Sequence, residues 1–334
     1  MQTTIMTVEE IRALATDTLR AHGCDEANAA AIAENMTQAE RAGAASHGLF
    51  RLAGHVTNLK NGRANGAAKP ILEKLGPATL RVNGDGGFAP LAQKIGLDPL
   101  AEAARETGIA ALAITRTMHY AALWPEVSVL AEQGLAAMAM TSSPPFVAPA
   151  GGTKPFFGTN PMAFAWPRKD AAPMVWDQAA SVTARGEVML HKMAGKPMPD
   201  GSGLDADGNP TTDPDAILTG AQLPFGGYKG ASLALMIDLM AGPLIGEVCS
   251  FEAGPPNNTL GGPSEGGEII LAFDPTHFAG AGALDHGERL FEALLTQEGT
   301  RLPGARRGPA REKSDQEGVA IANETLAKIQ ALGS

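Results

Sequence analysis

The segment Ser46-His47-Gly48-Leu49-Phe50-Arg51 sets a hydroxyl beside an imidazole and a guanidinium four residues further on. If the chain turns helical at Gly48, His47 and Arg51 share a face, because residues four apart are neighbours on a helix. An imidazole titrates near neutrality and can donate a proton, and a guanidinium can clamp a carboxylate through two parallel bonds. That pairing suits reduction at a carbon next to a carboxylate; a helix-capping serine with an ordinary surface arginine is the plainer alternative. His119 opens the run His119-Tyr120-Ala121-Ala122-Leu123-Trp124-Pro125, whose small residues would let a flat ligand approach the backbone. A strand-end turn with a satisfied histidine reads the same run equally well. Gly158-Thr159-Asn160-Pro161 and Gly226-Gly227-Tyr228-Lys229-Gly230 are turns that present amides and one side chain to an anion. Arg301, Arg306 and Arg307 form a basic cluster, by default a solvated charge run and in the sharper reading a phosphate clamp.

Other chemistries are poorly supported. Gly84, Gly86 and Ala89 fit a loose dinucleotide fingerprint, but Pro90 follows at once and Thr115-Arg116 stands where a ribose-binding acid belongs. Asp205-Ala206-Asp207-Gly208-Asn209 lacks the glycine position and closing glutamate of a calcium loop, and reads as a turn closed by its own side chains. None of the seven histidines has zinc-site spacing, so no metal is expected.

Among the elements that hold these groups, Thr7-Val8-Glu9-Glu10 is a capping box before a first helix ending at Gly23. A second helix is expected over 25–42 and a third ending near Asn61. The spacing predicts strands at 78–82, 109–114, 135–140, 162–166, 173–176 and 269–273. Helices are expected at 91–107, with Pro99 kinking or restarting the first of them, and at 124–132, 233–245, 286–295 and 317–332. Helices at both ends around a strand-rich middle argue for a mixed α/β (α+β) fold with a helical layer built from both termini.

With 334 residues, 44% of them hydrophobic and 19% charged, the chain can bury a sizeable core in two or three units or one elaborate domain. A net charge of −10 repels phosphate backbones and anionic lipid, which excludes nucleic acid and membrane as natural partners. The apolar stretch 231–248 is interrupted by Asp238 and Glu247, and no secretory signal is visible. Two cysteines, Cys24 and Cys249, fit a reducing compartment, so a soluble cytoplasmic protein is expected.

Taken together, SHGLFR (46–51), HYAALWPEV (119–127), FGTNPMAFAWP (157–167), ARGE (184–187), GNPTTDPDAI (208–217), LPFGGYKGASLALM (223–236) and RLPGARR (301–307) resemble the type 2 malate/L-lactate dehydrogenase family of NAD(P)H-dependent reductases. Within it, the AALWPEV run, the LPFGG block and Cys249-Ser250-Phe251-Glu252 resemble the reductases of Δ1-piperideine-2-carboxylate and Δ1-pyrroline-2-carboxylate. Those enzymes convert cyclic ketimines to L-pipecolate and L-proline.

The resemblance implies a non-Rossmann NADPH-binding domain with a mostly antiparallel sheet over 76–284, and a helical, dimerisation and substrate-side region over 1–75 plus 285–334. It also implies a homodimer with the active site near the subunit contact. By the same resemblance Ser46 and His47 belong to a proton relay with His47 as donor, and Glu187 stands where the cyclic-imine reductases have an aspartate. Arg51 matches the carboxylate clamp, and Thr159, Arg185 and Gly186 match further substrate contacts, with Arg185 replacing a histidine of that subgroup. Nucleotide contacts are implied at His119, Tyr120, Ala121, Ala122, Leu123, Asp177, Gln178, Ala179 and Lys229, and at Gly304, Ala305, Arg306, Arg307, Gly308 and Pro309. The arginines of that last stretch favour a 2′-phosphate, hence NADPH over NADH. A 2-oxo-acid dehydrogenase of the malate or lactate type uses the same relay and is the alternative; a nucleotide-binding protein without catalysis is the alternative of another class.

Overall fold

A computed structural model describes residues 2–119, 122–253 and 264–333 of the chain. Strand β1 (Thr3–Met6) leads into helices α1 (Val8–Ala21) and α2 (Glu26–Arg41). The capping box forms: the Glu10 amide donates to Thr7 Oγ1 at 3.1 Å and the Thr7 amide to Glu10 Oε2 at 2.7 Å. Asp25 caps α2 by accepting from the Asn28 amide at 2.9 Å. Two 3-10 turns, Ala45–His47 and Leu49–Arg51, then run into α3 (Leu52–Lys60).

The middle of the chain supplies β2 (Ile71–Gly76), β3 (Thr79–Asn83), α4 (Ala89–Thr107), β4 (Ile109–His119), α5 (Trp124–Glu132), β5 (Ala136–Thr141), β6 (Met162–Trp166), β7 (Met174–Gln178) and α6 (Arg185–Met193). Next come the two-residue strands β8 (Gly203–Leu204), β9 (Pro210–Thr211) and β10 (Ala221–Gln222), with α7 (Pro214–Thr219) between the last two. Helix α8 (Tyr228–Ala241) and strand β11 (Ser264–Phe273) follow. The chain closes with α9 (Pro275–Ala279), α10 (Ala283–Leu295), α11 (Arg307–Glu317), β12 (Val319–Ala322) and α12 (Asn323–Gln330).

Seven strands form one sheet in the order β2-β3-β4-β11-β5-β6-β7, antiparallel throughout except for the β3–β4 pair. The fold is mixed α/β. Along β11 the side-chain alternation of a strand sends neighbours to opposite faces. Ile270 joins Leu112, Ile114, Leu100 and Val127 in the core under α4 and α5, while Ile269 joins Met140, Met162 and Ile237 under α8. A separate core unites Ile11, Leu19, Ile32 and Leu52 of the first three helices with Ile321 and Ile329 near the other end of the chain. Helix α10 is tied to the segment after β6, where Arg168 bonds Glu288 at 2.7 Å and Lys169 pairs with Asp285 at 2.9 Å.

Several boundaries differ from the local reading. The stretch expected to be one helix over 317–332 opens as β12, whose Val-Ala-Ile-Ala alternation pairs antiparallel with β1 at the other end of the chain. That partner is invisible to any local periodicity. Helix α11 lies inside the basic stretch and was hidden because no residue of it is buried, so no apolar stripe marks it. Helix α4 runs through Pro99 without a break. Helix α8 begins at Tyr228, five residues before its expected start, directly after the Gly226-Gly227 turn.

Between α5 and β11 two carboxyls are buried together. Gln93 Nε2 donates to Glu126 Oε1 at 3.1 Å and to Glu268 Oε2 at 2.9 Å, and Glu126 and Glu268 are 2% and 0% exposed. Burial first, and then the charge of Glu268, pushes the Glu126 carboxyl well above its ordinary value of 4.5. The folded state therefore keeps a proton that the unfolded chain releases, so stability falls as pH rises above that value. Glu126→Gln is expected to remove this dependence, with its melting temperature gaining on the wild type as pH is raised from 5. Parallel melting curves across that range would show that the pair carries no excess proton.

Candidate active site

A cavity of about 280 Å³ opens where the turns after α2 meet the start of α6, the end of β7 and the start of α5. Ser46, His47 and Arg51 form one wall. The two 3-10 turns are what aim them there: Glu40 of α2, buried, accepts from the Leu49 amide at 2.8 Å and pins the loop from below. Burial raises the Glu40 carboxyl to about 7. Sequence reading missed Glu40, whose only signal is an acid on the apolar side of α2.

Ser46 Oγ lies 3.1 Å from His47 Nδ1. Arg51, only 1% exposed, donates from Nε to the Ser46 carbonyl at 2.6 Å. Its guanidinium passes so close to Gly186 that a methyl group there would collide with Arg51 Nη2, which explains the glycine. Enclosure in the cleft, and after it the Arg51 charge, pushes the His47 imidazole down to about 3. His47 is therefore neutral at physiological pH. His55, a turn further on, accepts no such role: its Nδ1 sits 3.0 Å from the Arg51 carbonyl, and its ring packs on Phe88.

Thr159 faces the same cavity and is held from behind. Its amide donates to Ser143 Oγ at 2.9 Å, and the two hydroxyls lie 3.2 Å apart. Asn160 is fully buried at φ 35°, a left-handed conformation rare for a side-chain-bearing residue. Its Oδ1 accepts from the Ser143 amide at 3.2 Å and its Nδ2 donates to the Ala234 carbonyl at 2.9 Å. Ser250 Oγ lies 3.1 Å from Asn160 Oδ1 and 2.9 Å from Asp238 Oδ1, linking the turn to α8. Gly158 belongs to the same construction, since a methyl group there would strike Ser143. Ser143, Asp238 and Ser250 were not singled out as site residues; the visible sign was Asp238 interrupting an apolar helix.

On the opposite wall, Ala122, Asp177, Gln178, Ala179 and Arg307 line the cavity. Asp177 Oδ2 accepts from the Leu123 and Trp124 amides at 2.8 and 3.2 Å and so caps α5, leaving Leu123 buried behind the wall. Arg307 donates to the Val175 carbonyl at 3.0 Å, and the guanidiniums of Arg307 and Arg311 stack on Trp124 at 5.3 and 4.7 Å. Small side chains with a cation beyond them fit a flat ring carrying a phosphate tail. Arg185 and Gly186, the first residues of α6, complete the cavity.

Not every expected residue arrives. Glu187 is turned outward, half exposed, and pairs with His191 at 3.7 Å. The reason is helical rotation: Arg185 and Gly186 point into the cleft, and the next residue is swung about 100° around the axis. The structure therefore assembles the Ser46–His47 couple without Glu187. Lys229 sits exposed in the first turn of α8 and does not line this cavity. Gly304, Ala305, Arg306, Gly308 and Pro309 are exposed around Arg307, which alone of that stretch lines the cavity. Tyr120 and Ala121 lie outside the described residues, as does the side chain of His119. The Gly84–Ala89 segment is a glycine turn away from the cavity, the Gly84 amide donating to the Thr115 carbonyl at 2.8 Å. Asp205 closes its own turn, accepting from the Asn209 amide at 2.8 Å. Among the described residues no cluster of His, Cys, Asp and Glu could hold a metal, and no helix is long and apolar enough to cross a membrane.

A buried guanidinium beside an imidazole, in a cavity that Arg307 also lines, can bind an anion next to a proton-transfer group. The malate/L-lactate dehydrogenase family matches residues 6–330, and the chain belongs to that family. A nicotinamide cofactor follows from that membership. The Delta(1)-pyrroline-2-carboxylate/Delta(1)-piperideine-2-carboxylate reductase of Pseudomonas aeruginosa is 48% identical over 98% of both chains. The Delta(1)-pyrroline-2-carboxylate reductase of Ancylobacter novellus is 46% identical over 98% of this chain and 97% of that one. The crystal structure of Delta1-piperideine-2-carboxylate reductase from Pseudomonas syringae superposes with a TM-score of 0.93 at 39% identity, covering 99% of this chain and 100% of that one.

Proposed function

We propose that this protein reduces the cyclic ketimines Δ1-pyrroline-2-carboxylate and Δ1-piperideine-2-carboxylate to L-proline and L-pipecolate, with NADPH as reductant. The bound nicotinamide supplies the hydride. Arg51 holds the substrate carboxylate in its planar fork, which fixes the adjacent C=N carbon. Thr159 and Ser143 bound the ring from the other side. As the carbon is reduced the ring nitrogen gains an electron pair, and His47, supported by Ser46, holds the proton at that nitrogen.

The observation that supports the imine reading is the cavity wall of Ser46, His47 and Arg51 in a chain nearly half identical, over almost its whole length, to a reductase named for these two ketimines. The arginines Arg306, Arg307 and Arg311 support a 2′-phosphate and hence NADPH. The outward face of α8 and the turns after it expose Tyr228, Leu235, Leu239 and Leu244, apolar surface suited to a second copy of the chain in a homodimer.

The test is cofactor oxidation with both ketimines against pyruvate and oxaloacetate, each with NADPH and NADH. The ketimines with NADPH are expected to turn over fastest. Faster reduction of the open-chain oxo acids would instead make this a dehydrogenase of the malate or lactate type.

A further inference from the structure

We propose that Glu40 is a positioning residue for the reaction: its carboxyl, reaching over from α2, fixes the turn that aims His47 and Arg51 into the cavity. Glu40 acts through those two side chains, so the assignment rests on the reading above, in which they work on the substrate.

Glu40 is the next-to-last residue of α2 and is 5% exposed. A glutamate is almost never so enclosed unless its oxygens are engaged. Enclosure raises the carboxyl to about 7 from an ordinary 4.5, a penalty that a leucine or methionine of similar size would avoid. What the acid obtains there is a backbone donor, the Leu49 amide at 2.8 Å. Leu49 is buried and opens the second 3-10 turn, and the first amides of a helical turn lack acceptors inside it. The residue before it, Gly48, has no side chain with which to cap that turn. Glu40 supplies the cap from another element. Either protonation state leaves an oxygen able to accept, so the bond does not depend on ionisation.

The bond falls at the centre of the catalytic segment. His47 stands two residues before Leu49, and Arg51 two residues after it. Gly48 joins the two turns: its amide donates to the Ala45 carbonyl at 3.2 Å, and its carbonyl accepts from the Arg51 amide at 2.9 Å. A methyl group on Gly48 would overlap Oε1, Cδ and Cγ of Glu40. The carboxyl and the carbon chain behind it therefore lie flush against the backbone between His47 and Leu49. Without that acceptor a buried amide is left unpaired, and the turn shifts to reach water or another oxygen. Because the imidazole and the guanidinium ride on that turn, the shift moves both.

The experiment compares Glu40→Gln with Glu40→Leu, both close in size to glutamate. Kinetics are measured with NADPH and whichever ketimine or oxo acid the wild type reduces fastest. Glutamine still offers an oxygen to the Leu49 amide, and leucine offers none. Glu40→Gln is expected to keep kcat/KM within about threefold of the wild type. Glu40→Leu is expected to lose about 10²-fold, the effect that follows when a catalytic group is displaced by about 1 Å. NADPH affinity, read from tryptophan fluorescence, is expected to stay within about twofold in both, because the proposed cofactor contacts line the cavity from other elements. Unchanged kcat/KM in Glu40→Leu would overturn the proposal. So would an equal loss in Glu40→Gln and Glu40→Leu, since rescue by the retained oxygen is what separates positioning from packing. A fall in NADPH affinity that matches the fall in kcat/KM would assign Glu40 to general stability and overturn it too. If Glu40→Leu does not fold, Glu40→Met, whose thioether is a weak acceptor, carries the same comparison. His47→Ala is measured in parallel: wild-type turnover in that variant marks failure of the underlying reading, whereas the outcomes above concern Glu40 alone.

Discussion

His47→Ala is expected to lower kcat by about 10²- to 10⁴-fold, the usual worth of a positioned proton-transfer group, while NADPH still binds. The separation of the two effects follows from geometry. His47 stands with Ser46 and Arg51 on one wall, whereas the proposed nucleotide contacts Ala122, Gln178, Ala179 and Arg307 line the cavity from other elements. Trp124 lies beneath Arg307 and Arg311, so its fluorescence offers a binding readout that does not depend on turnover. The pH profile adds a second signature. Arg51 depresses the imidazole in the free enzyme, and a substrate carboxylate docked on Arg51 cancels that effect. The titration seen in kcat should therefore lie at higher pH than the one seen in kcat/KM. Wild-type turnover in His47→Ala would remove His47 from the chemistry altogether.

Arg51→Lys is expected to raise KM for the ketimine by roughly 10²-fold, since a bidentate charge-assisted pair is worth about 1.5–3 kcal/mol and an ammonium cannot reproduce its planar fork. Arg51 is 1% exposed and its Nε is bonded to the Ser46 carbonyl, so the shorter donor pattern of lysine also loosens the turn that carries His47. KM should change more than kcat, and the melting temperature reports how much of the loss is structural. An unchanged KM would place the substrate carboxylate elsewhere in the cavity, which Arg185 and Arg307 also line.

How much of this could be read from residues alone depended on whether the information was local. The Ser46-His47-Arg51 spacing is local, and the turns do bring the three side chains to one wall. Strands such as Met162–Trp166 and the helix Trp124–Glu132 declare themselves by their own apolar pattern, and both appear with the expected bounds. The register of β1 with β12 depends on two segments at opposite ends of the chain, so neither signals it alone. Glu40, Ser143 and Ser250 act through contacts made by folding, which no spacing displays. Glu187 shows the converse: it adjoins two cavity residues in sequence, yet one further step around the helix carries it to solvent. The mostly antiparallel sheet was expected from family resemblance, and composition by itself would not have given its order.

The β1–β12 ribbon also constrains how the polypeptide is born. Residues Thr3–Met6 are synthesised well before their hydrogen-bonding partners Val319–Ala322. At about 5–20 residues per second that interval lasts on the order of 15–60 s. Throughout it Thr3–Met6 lacks the strand that pairs with it in the fold, and only Val319–Ala322 supplies that partner.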